Sequence, residues 1–317
     1  MGIGSFRDII GNALYGTDAI RRAYHWYKRA WATATVRYPI GANIFTRDWD
    51  LLIVLDTCRV DALRAVADEY DFLDDIGVIT SVGSCSPEWI ANTFQTAYTD
   101  TISRTACISD NAYMSRILED RTYLGGTART VTASDLHSLD QPWQYVPDEQ
   151  KPFVHTPPQY ATNKAINVGR TTDADRILVH YLPPHSPYTA NAIAESRELE
   201  AHEETPFQAL RDGIPFNRVW AAYLDELRLV LDHVSLLLDN ITAEKVVITA
   251  DHGEAFGEYG IYSHPLGMPH PHIKRVPWAT TTAVDTGTHE PELTFYQSEE
   301  TAGSDPANQL AALGYLK

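Results

Sequence analysis

The chain has 317 residues, 44% hydrophobic and 21% charged, the make-up of a folded protein that buries a large core without staples. Its 42 acidic residues against 25 basic ones leave a formal charge of −17, and a surface of that sign repels phosphate backbones, which excludes nucleic acid as a partner. Three cysteines without a CxxC spacing exclude a disulfide framework, and no apolar run approaches the roughly 18 residues of a membrane span.

Only six of the basic residues are lysines. Acidic surplus with few lysines suits a protein of concentrated salt, where screening suppresses self-repulsion, so a halophilic source is expected. The N-terminus shows no apolar segment of signal-peptide type, which makes a cytoplasmic location the default. Oligomeric state leaves no mark on the sequence.

Residues 1–47 run against the acidic balance, with seven Arg or Lys and two Asp, a net +5 against about −22 for the remainder. Ile20, Tyr24, Tyr27 and Trp31 fall at helical spacing beside Arg21, Arg22, Lys28 and Arg29. Such a helix either packs on the acidic body by charge complementarity or rests on an anionic membrane at the inner face through residues 1–40.

Leu51–Leu55 (LLIVL) is a continuous apolar run, the pattern of a parallel strand covered on both faces, and it ends in Asp56. A helix from about Val60 to Tyr70 follows, then a strand Val78–Val82. The turn Gly83-Ser84-Cys85-Ser86-Pro87 leads into a helix from Pro87 to about Ala97. Between 98 and 175 periodicity is weak and Pro and Thr are frequent, which predicts an irregular insertion on the substrate side. Arg176–Tyr181 (RILVHY) is a buried strand running into Leu182-Pro183-Pro184-His185. In the helix predicted over 217–239, Trp220, Leu224, Leu227, Leu231, Val234 and Leu238 form one stripe. It feeds Val246–His252 (VVITADH) as a crossover helix should. Val276–Thr282 gives a last strand, 285–305 an acidic loop and Asn308–Leu316 a short closing helix. The expectation is a basic helical extension over 1–47 and one α/β domain over 48–317.

Two buried strands that each discharge a carboxylate at the carboxyl end suggest one metal site built from distant parts of the chain. Asp56, Asp251 and His252 suit Zn²⁺ or Mn²⁺, with Mg²⁺ or Ca²⁺ possible where water completes the shell. Ser86 sits where helix N–H groups attract an anion and where a metal would activate its hydroxyl. Cys85 beside it is a thiol at a helix start. His180, His185, His264, His270 and His272 all fall just after two strand ends.

These residues carry a resemblance. The run DHGEAFGEYGIYSH…IKRVPWA resembles the DHG…GEHG…VP segment of sulfatase-like hydrolases in the alkaline phosphatase superfamily. LLIVLD with Arg59, HYLPPHSPY and the closing QLAALGYL are similar to other segments of that family. The resemblance implies a three-layer α/β fold, a mixed and mostly parallel sheet between helices. It also implies a divalent metal held by Asp56, Asp251, His252 and the Ser86 oxygen, and a nucleophile at the helix start after the second strand. Sulfatases carry C-x-P-x-R, and here Trp89 stands in place of the Arg. Thr57 replaces a second acid after Asp56, and His264 occupies about the place of a sulfate-gripping lysine. These departures favour Ser86 over Cys85 as nucleophile, with His185 or His264 protonating the leaving group and His180, His272 and Arg59 binding the anion.

The function expected is metal-dependent cleavage of a phosphate ester, on an anionic small-molecule, glycan or lipid substrate. Alternatives are a sulfatase using Cys85, a transferase that moves a phospho-alcohol onto a surface glycan or lipid, and a non-catalytic anion-binding protein on the same scaffold.

Overall fold

The computed structural model describes residues 18–153 and 155–293. Strand β1 (Leu51–Leu55) is buried at every residue because a parallel partner lies on each side. These partners are β5 (Arg176–Tyr181) and β6 (Ala243–Thr249), with Leu51 opposite Ile177 and Val246. Strands β3 (Thr105–Ser109) and β4 (Ser138–Asp140) extend the parallel set beyond β5. On the other side β9 (Arg275–Ala283) pairs antiparallel with β6 and with β2 (Ile76–Thr80). The seven strands lie in the order β2-β9-β6-β1-β5-β3-β4, and a separate ribbon joins β7 (Ala255–Phe256) to β8 (Tyr262–Ser263).

Side chains alternate across each strand, so the sheet has two apolar faces. Leu51, Ile53 and Leu55 face a cluster with Val179, Ile248, Ala161, Ala165 and the stripe of the long helix. That layer holds α2 (Val60–Val66), α4 (Pro158–Thr171) and α5 (Phe216–Leu238). Leu52, Val54, Leu178 and Val247 face the other way, onto Trp89, Ile90 and Phe94 of α3 (Ser86–Thr93) and its capping residue and onto Val36 of α1 (Asp18–Arg37). The result is the three-layer, mostly parallel α/β fold that the sequence implied. The deepest apolar positions of α5 are Val219, Tyr223, Leu227, Val230, Leu231, Val234 and Leu237, whereas Trp220 and Leu224 are only partly covered. Truncation of Leu231 to Ala would open a cavity and cost about 2–5 kcal/mol.

Residues 98–175 are only partly irregular, with short turns between about 110 and 157. They supply β3, β4 and the 14-residue α4, whose Tyr160, Ala161, Ala165, Ile166 and Val168 are buried. Other boundaries move by a few residues: the second strand is Ile76–Thr80, and α3 stops at Thr93. The expected closing helix, Asn308–Leu316, lies outside the described residues.

The aromatic stripe of α1 packs inward. Tyr27 Oη donates to the Gly267 carbonyl at 2.5 Å, Tyr24 Oη lies 3.4 Å from the Leu266 carbonyl, and Trp31 Nε1 donates to Glu88 at 2.6 Å. Trp26, by contrast, is 71% exposed. No helix among the described residues is long and apolar enough to cross a membrane.

Candidate active site

The carboxyl ends of β1, β5, β6 and β3 open at one edge of the sheet, the position where open α/β sheets collect their chemistry. β1 hands over directly to Asp56, β6 to Asp251 and His252, β5 carries His180 and β3 leads to Asp110 and Asn111. The start of α3 brings Ser86 to the same point. Asp56, His180, Asp251, His252 and Ser86 are all fully buried.

Their polar atoms converge. Ser86 Oγ lies 3.2 Å from Asp56 Oδ2 and 3.3 Å from His252 Nε2. His252 Nε2 is 3.3 Å from Asp251 Oδ2 and 3.7 Å from Asp56 Oδ1. His180 Nε2 is 3.8 Å from Asp56 Oδ2 and 3.9 Å from Asp251 Oδ2. These separations bracket the ~3.4 Å edge of a tetrahedron with ~2.1 Å metal–ligand bonds.

The backbone fixes which atoms face inward. Asp251 Oδ1 accepts the His252 N–H at 2.8 Å and the Thr57 N–H at 3.3 Å, leaving Oδ2 toward the cluster. Asn111 Nδ2 donates to Asp56 Oδ2 at 2.9 Å. His252 Nδ1 lies 3.0 Å from the Gly253 carbonyl, so donation there turns the Nε2 lone pair toward the carboxylates. Thr57 reaches its place at φ 66°, a left-handed conformation costly for a β-branched residue. Gly253 permits a close approach, since a Cβ there would stand 2.1 Å from the His272 carbonyl oxygen.

Burial and the neighbouring Asp251 charge push the Asp56 carboxyl well above its usual range, and burial raises Asp251 as well. Burial lowers His180 to about 4, and burial together with His264 holds His252 far below its normal value, so both imidazoles are neutral at pH 7. Asp56 Oδ1, Asp251 Oδ2 and His180 Nε2 have no hydrogen-bond partner despite complete burial. Orphaned acceptors of this kind are costly. Two carboxylates and a neutral imidazole with donor atoms all within 4.8 Å of one another, flanked by His252 and the Ser86 hydroxyl, form a donor set that fits Zn²⁺ or Mn²⁺. Asp56, His180 and Asp251 are the one such group among the described residues.

Beyond His252 lie further imidazoles: His264 at 4.4 Å between ring centroids, then His185 at 5.3 Å from His264. The ribbon places Ala255 opposite Ser263, which sets Glu254 against His264 at 3.0 Å. Burial alone would lower the His264 pKa, but the Glu254 carboxylate outweighs it and holds the imidazole above its usual value. His185 is driven far down by burial and by the charge of His264.

Three residues expected to bind the anion sit differently. His180 stands among the carboxylates, because its register opposite Val54 sets it at the strand end beside Asp56. Arg59 does not face the site. Its guanidinium is bidentate to Asp61 (2.8 and 2.6 Å), bonds Glu258 at 2.7 Å and the Glu254 carbonyl at 3.2 Å, and lies 3.1 Å from His272 Nδ1. His272 is consumed in the same contact, outside the cluster, and His270 caps the short helix 271–274 through Nδ1. His264, His270 and His272 therefore do not assemble a second metal site. Cys85 is buried at the cap of α3, and burial and Glu88 push its thiol well above the ordinary range, away from the thiolate. Trp89 makes a T-shaped ring contact with His180 at 5.5 Å between centroids.

Sequence reasoning missed Asp110, Asn111 and the pairing role of Glu254. Ser109-Asp110-Asn111 repeats the strand-then-carboxylate pattern of β1 and β6, which was the available signal.

No protein-family model matches the sequence, and no curated protein is similar to it. Solved structures similar to it include the integral membrane lipooligosaccharide phosphoethanolamine transferase A from Neisseria meningitidis, at 14% identity and TM-score 0.47 over 76% of this chain and 48% of that one. This chain thus spans about half the length of that transferase. Others are a 2-O GAG sulfatase (14%, TM-score 0.41, 73% and 63%) and the phosphonate monoester hydrolase of Agrobacterium radiobacter (14%, TM-score 0.39, 74% and 68%).

Proposed function

We propose that this chain is a metal-dependent enzyme that cleaves or transfers a phosphate ester through Ser86. The observation that carries the reading is the convergence of Ser86 Oγ with Asp56, Asp251, His180 and His252, whose inward oxygens and nitrogen are otherwise without partners. These four side chains and the Ser86 oxygen would hold one divalent ion, which when bound supplies positive charge that lowers the Ser86 pKa and polarises the substrate.

Ser86 Oγ attacks phosphorus as the bond to the leaving alkoxide breaks, giving a phosphoseryl chain. The positive end of the α3 dipole, where Ser86 is the first residue, favours the charge that develops on the phosphoryl oxygens. His264, paired with Glu254, is placed to hand a proton to the leaving alkoxide, while neutral His185 beside it donates its Nδ1–H to the Ser186 carbonyl at 2.6 Å. Water then releases phosphate in a hydrolase, and a second alcohol takes it in a transferase.

Trp89, at the position where the C-x-P-x-R motif carries its arginine, speaks for Ser86 over formylglycine chemistry. The test is elemental analysis together with peptide mass across residues 85–89 before and after incubation with phosphomonoesters and diesters. One equivalent of Zn or Mn, unmodified Cys85 and a phosphate adduct on Ser86 are expected. Formylglycine at position 85 would convert the reading to sulfatase. A protein that takes no metal and forms no adduct is an anion-binding scaffold.

A further inference from the structure

Helix α1 is tied to both arms of the candidate site, 84–88 and 264–267, through one side chain. Glu88, in the first turn of α3, is fully buried. Its Oε1 accepts from Trp31 Nε1 at 2.6 Å and from Thr35 Oγ1 at 3.3 Å, both on α1. Its Oε2 accepts from the Ser84 backbone N–H at 2.8 Å and from Ser84 Oγ at 2.7 Å. Ser84 Oγ in turn accepts the Gly267 N–H at 2.8 Å and lies 3.2 Å from the Pro265 carbonyl. The mostly buried Lys274 ammonium is close enough to feel the Glu88 charge.

We infer that Glu88 is a positioning residue that makes the basic N-terminal helix part of the catalytic apparatus, holding Ser86 and His264 in register with each other. Ser86 lies between the two hydrogen-bonded residues Ser84 and Glu88. His264 directly precedes the 265–267 segment that Ser84 and the tyrosines of α1 grip. The nucleophile and the proton donor sit on elements far apart in the chain, so something must fix their separation. A carboxyl whose two oxygens take four donor contacts at the junction does this with little freedom, because each lost donor leaves a buried polar atom unmatched. The inference rests on the roles given above to Ser86 and His264.

The test compares Glu88→Gln, Trp31→Phe and the double variant with the parent, all loaded with Zn²⁺. Gln keeps the acceptor for Trp31 but turns an N–H₂ toward the two Ser84 donors, and Phe removes the indole donor while keeping an aromatic ring beside Tyr27. Metal stoichiometry and circular dichroism should be unchanged. With KM nearly constant, kcat should fall about 10- to 100-fold in each single variant, the scale of a small misplacement of reacting groups. The two effects should be non-additive, because both cut the same link. Hydrogen exchange followed by mass provides a readout that needs no activity. Trp31→Phe should speed exchange at 84–90 and at 264–268, segments that do not contain the substitution. Unchanged kcat in a folded, metal-loaded variant, or faster exchange confined to α1, overturns the inference. Faster exchange in both segments in a protein that forms no Ser86 adduct would keep the mechanical link and sink only the catalytic reading.

Discussion

The Asn111 side-chain amide donates to Asp56 Oδ2 at 2.9 Å, joining the end of β3 to the end of β1. It leaves Oδ1 of the same carboxyl as the free inward atom. Partners of this kind orient a ligand without touching the ion, and losing one weakens metal binding by about 10- to 100-fold. Asn111→Ala should therefore keep its fold and raise the Zn²⁺ dissociation constant by that factor in chelator competition. Unchanged affinity would mean that Asp56 is held by its strand alone.

Arg59 gives a prediction of the opposite kind. Every donor of its guanidinium is engaged by protein groups, and the group lies over Trp220 and Phe256. Arg59→Met should cost stability, on the order of 3 kcal/mol, the lower end for a broken buried pair because Asp61 remains half exposed. Denaturant unfolding reads the loss, and KM for a phosphate ester should stay unchanged. A rise in KM without loss of stability would return Arg59 to substrate binding.

The difference between Arg59 and Asp56 shows what the sequence made legible. LLIVL, RILVHY and VVITADH are apolar enough to announce strands buried on both faces, and the residues at their tips follow automatically. Thr105–Ser109 (TACIS) is as deeply buried, but its Thr, Cys and Ser make it look like a loop. Helix α4 begins with prolines and contains Asn163, Asn167 and Gly169, all weak helix formers, and is stabilised by the face it presents to the sheet. An arginine beside a metal strand reads as an anion receptor until its counter-charges are placed. Asp61 was visible two residues on, whereas Glu258 arrives only through the ribbon.

Glu226 supplies a test in pH. It is fully buried on α5, and burial raises its carboxyl to about 7, while the Ala190 and Thr189 amides and the Thr189 hydroxyl oppose the rise. A folded value above the unfolded 4.5 means that the folded state binds the proton more tightly. The contribution is complete below pH 4.5 and is lost as pH rises through 7. The stability difference between the parent and Glu226→Gln should accordingly shrink or reverse across that interval in urea titrations. A pH-independent difference would show that the carboxyl stays ionised.

The acidic surplus sets an expectation for salt. A net charge of −17 repels itself across the surface, and screening relieves that repulsion. Tm should rise by several degrees between 0.1 and 2 M KCl, with KCl more effective than an equal osmolality of sucrose. Equal effects would attribute the rise to excluded solute rather than to charge.

The four side chains at the strand ends and Ser86 at the start of α3 are closed off from solvent on every side. An ion seated among them could leave only when the surrounding chain opens, so its departure would be governed by the protein's own fluctuations. Added chelator would speed the loss up to the frequency of those openings and then have no further effect. That plateau would be a direct measure of how often the covering segments part, the same event that must precede entry of any substrate.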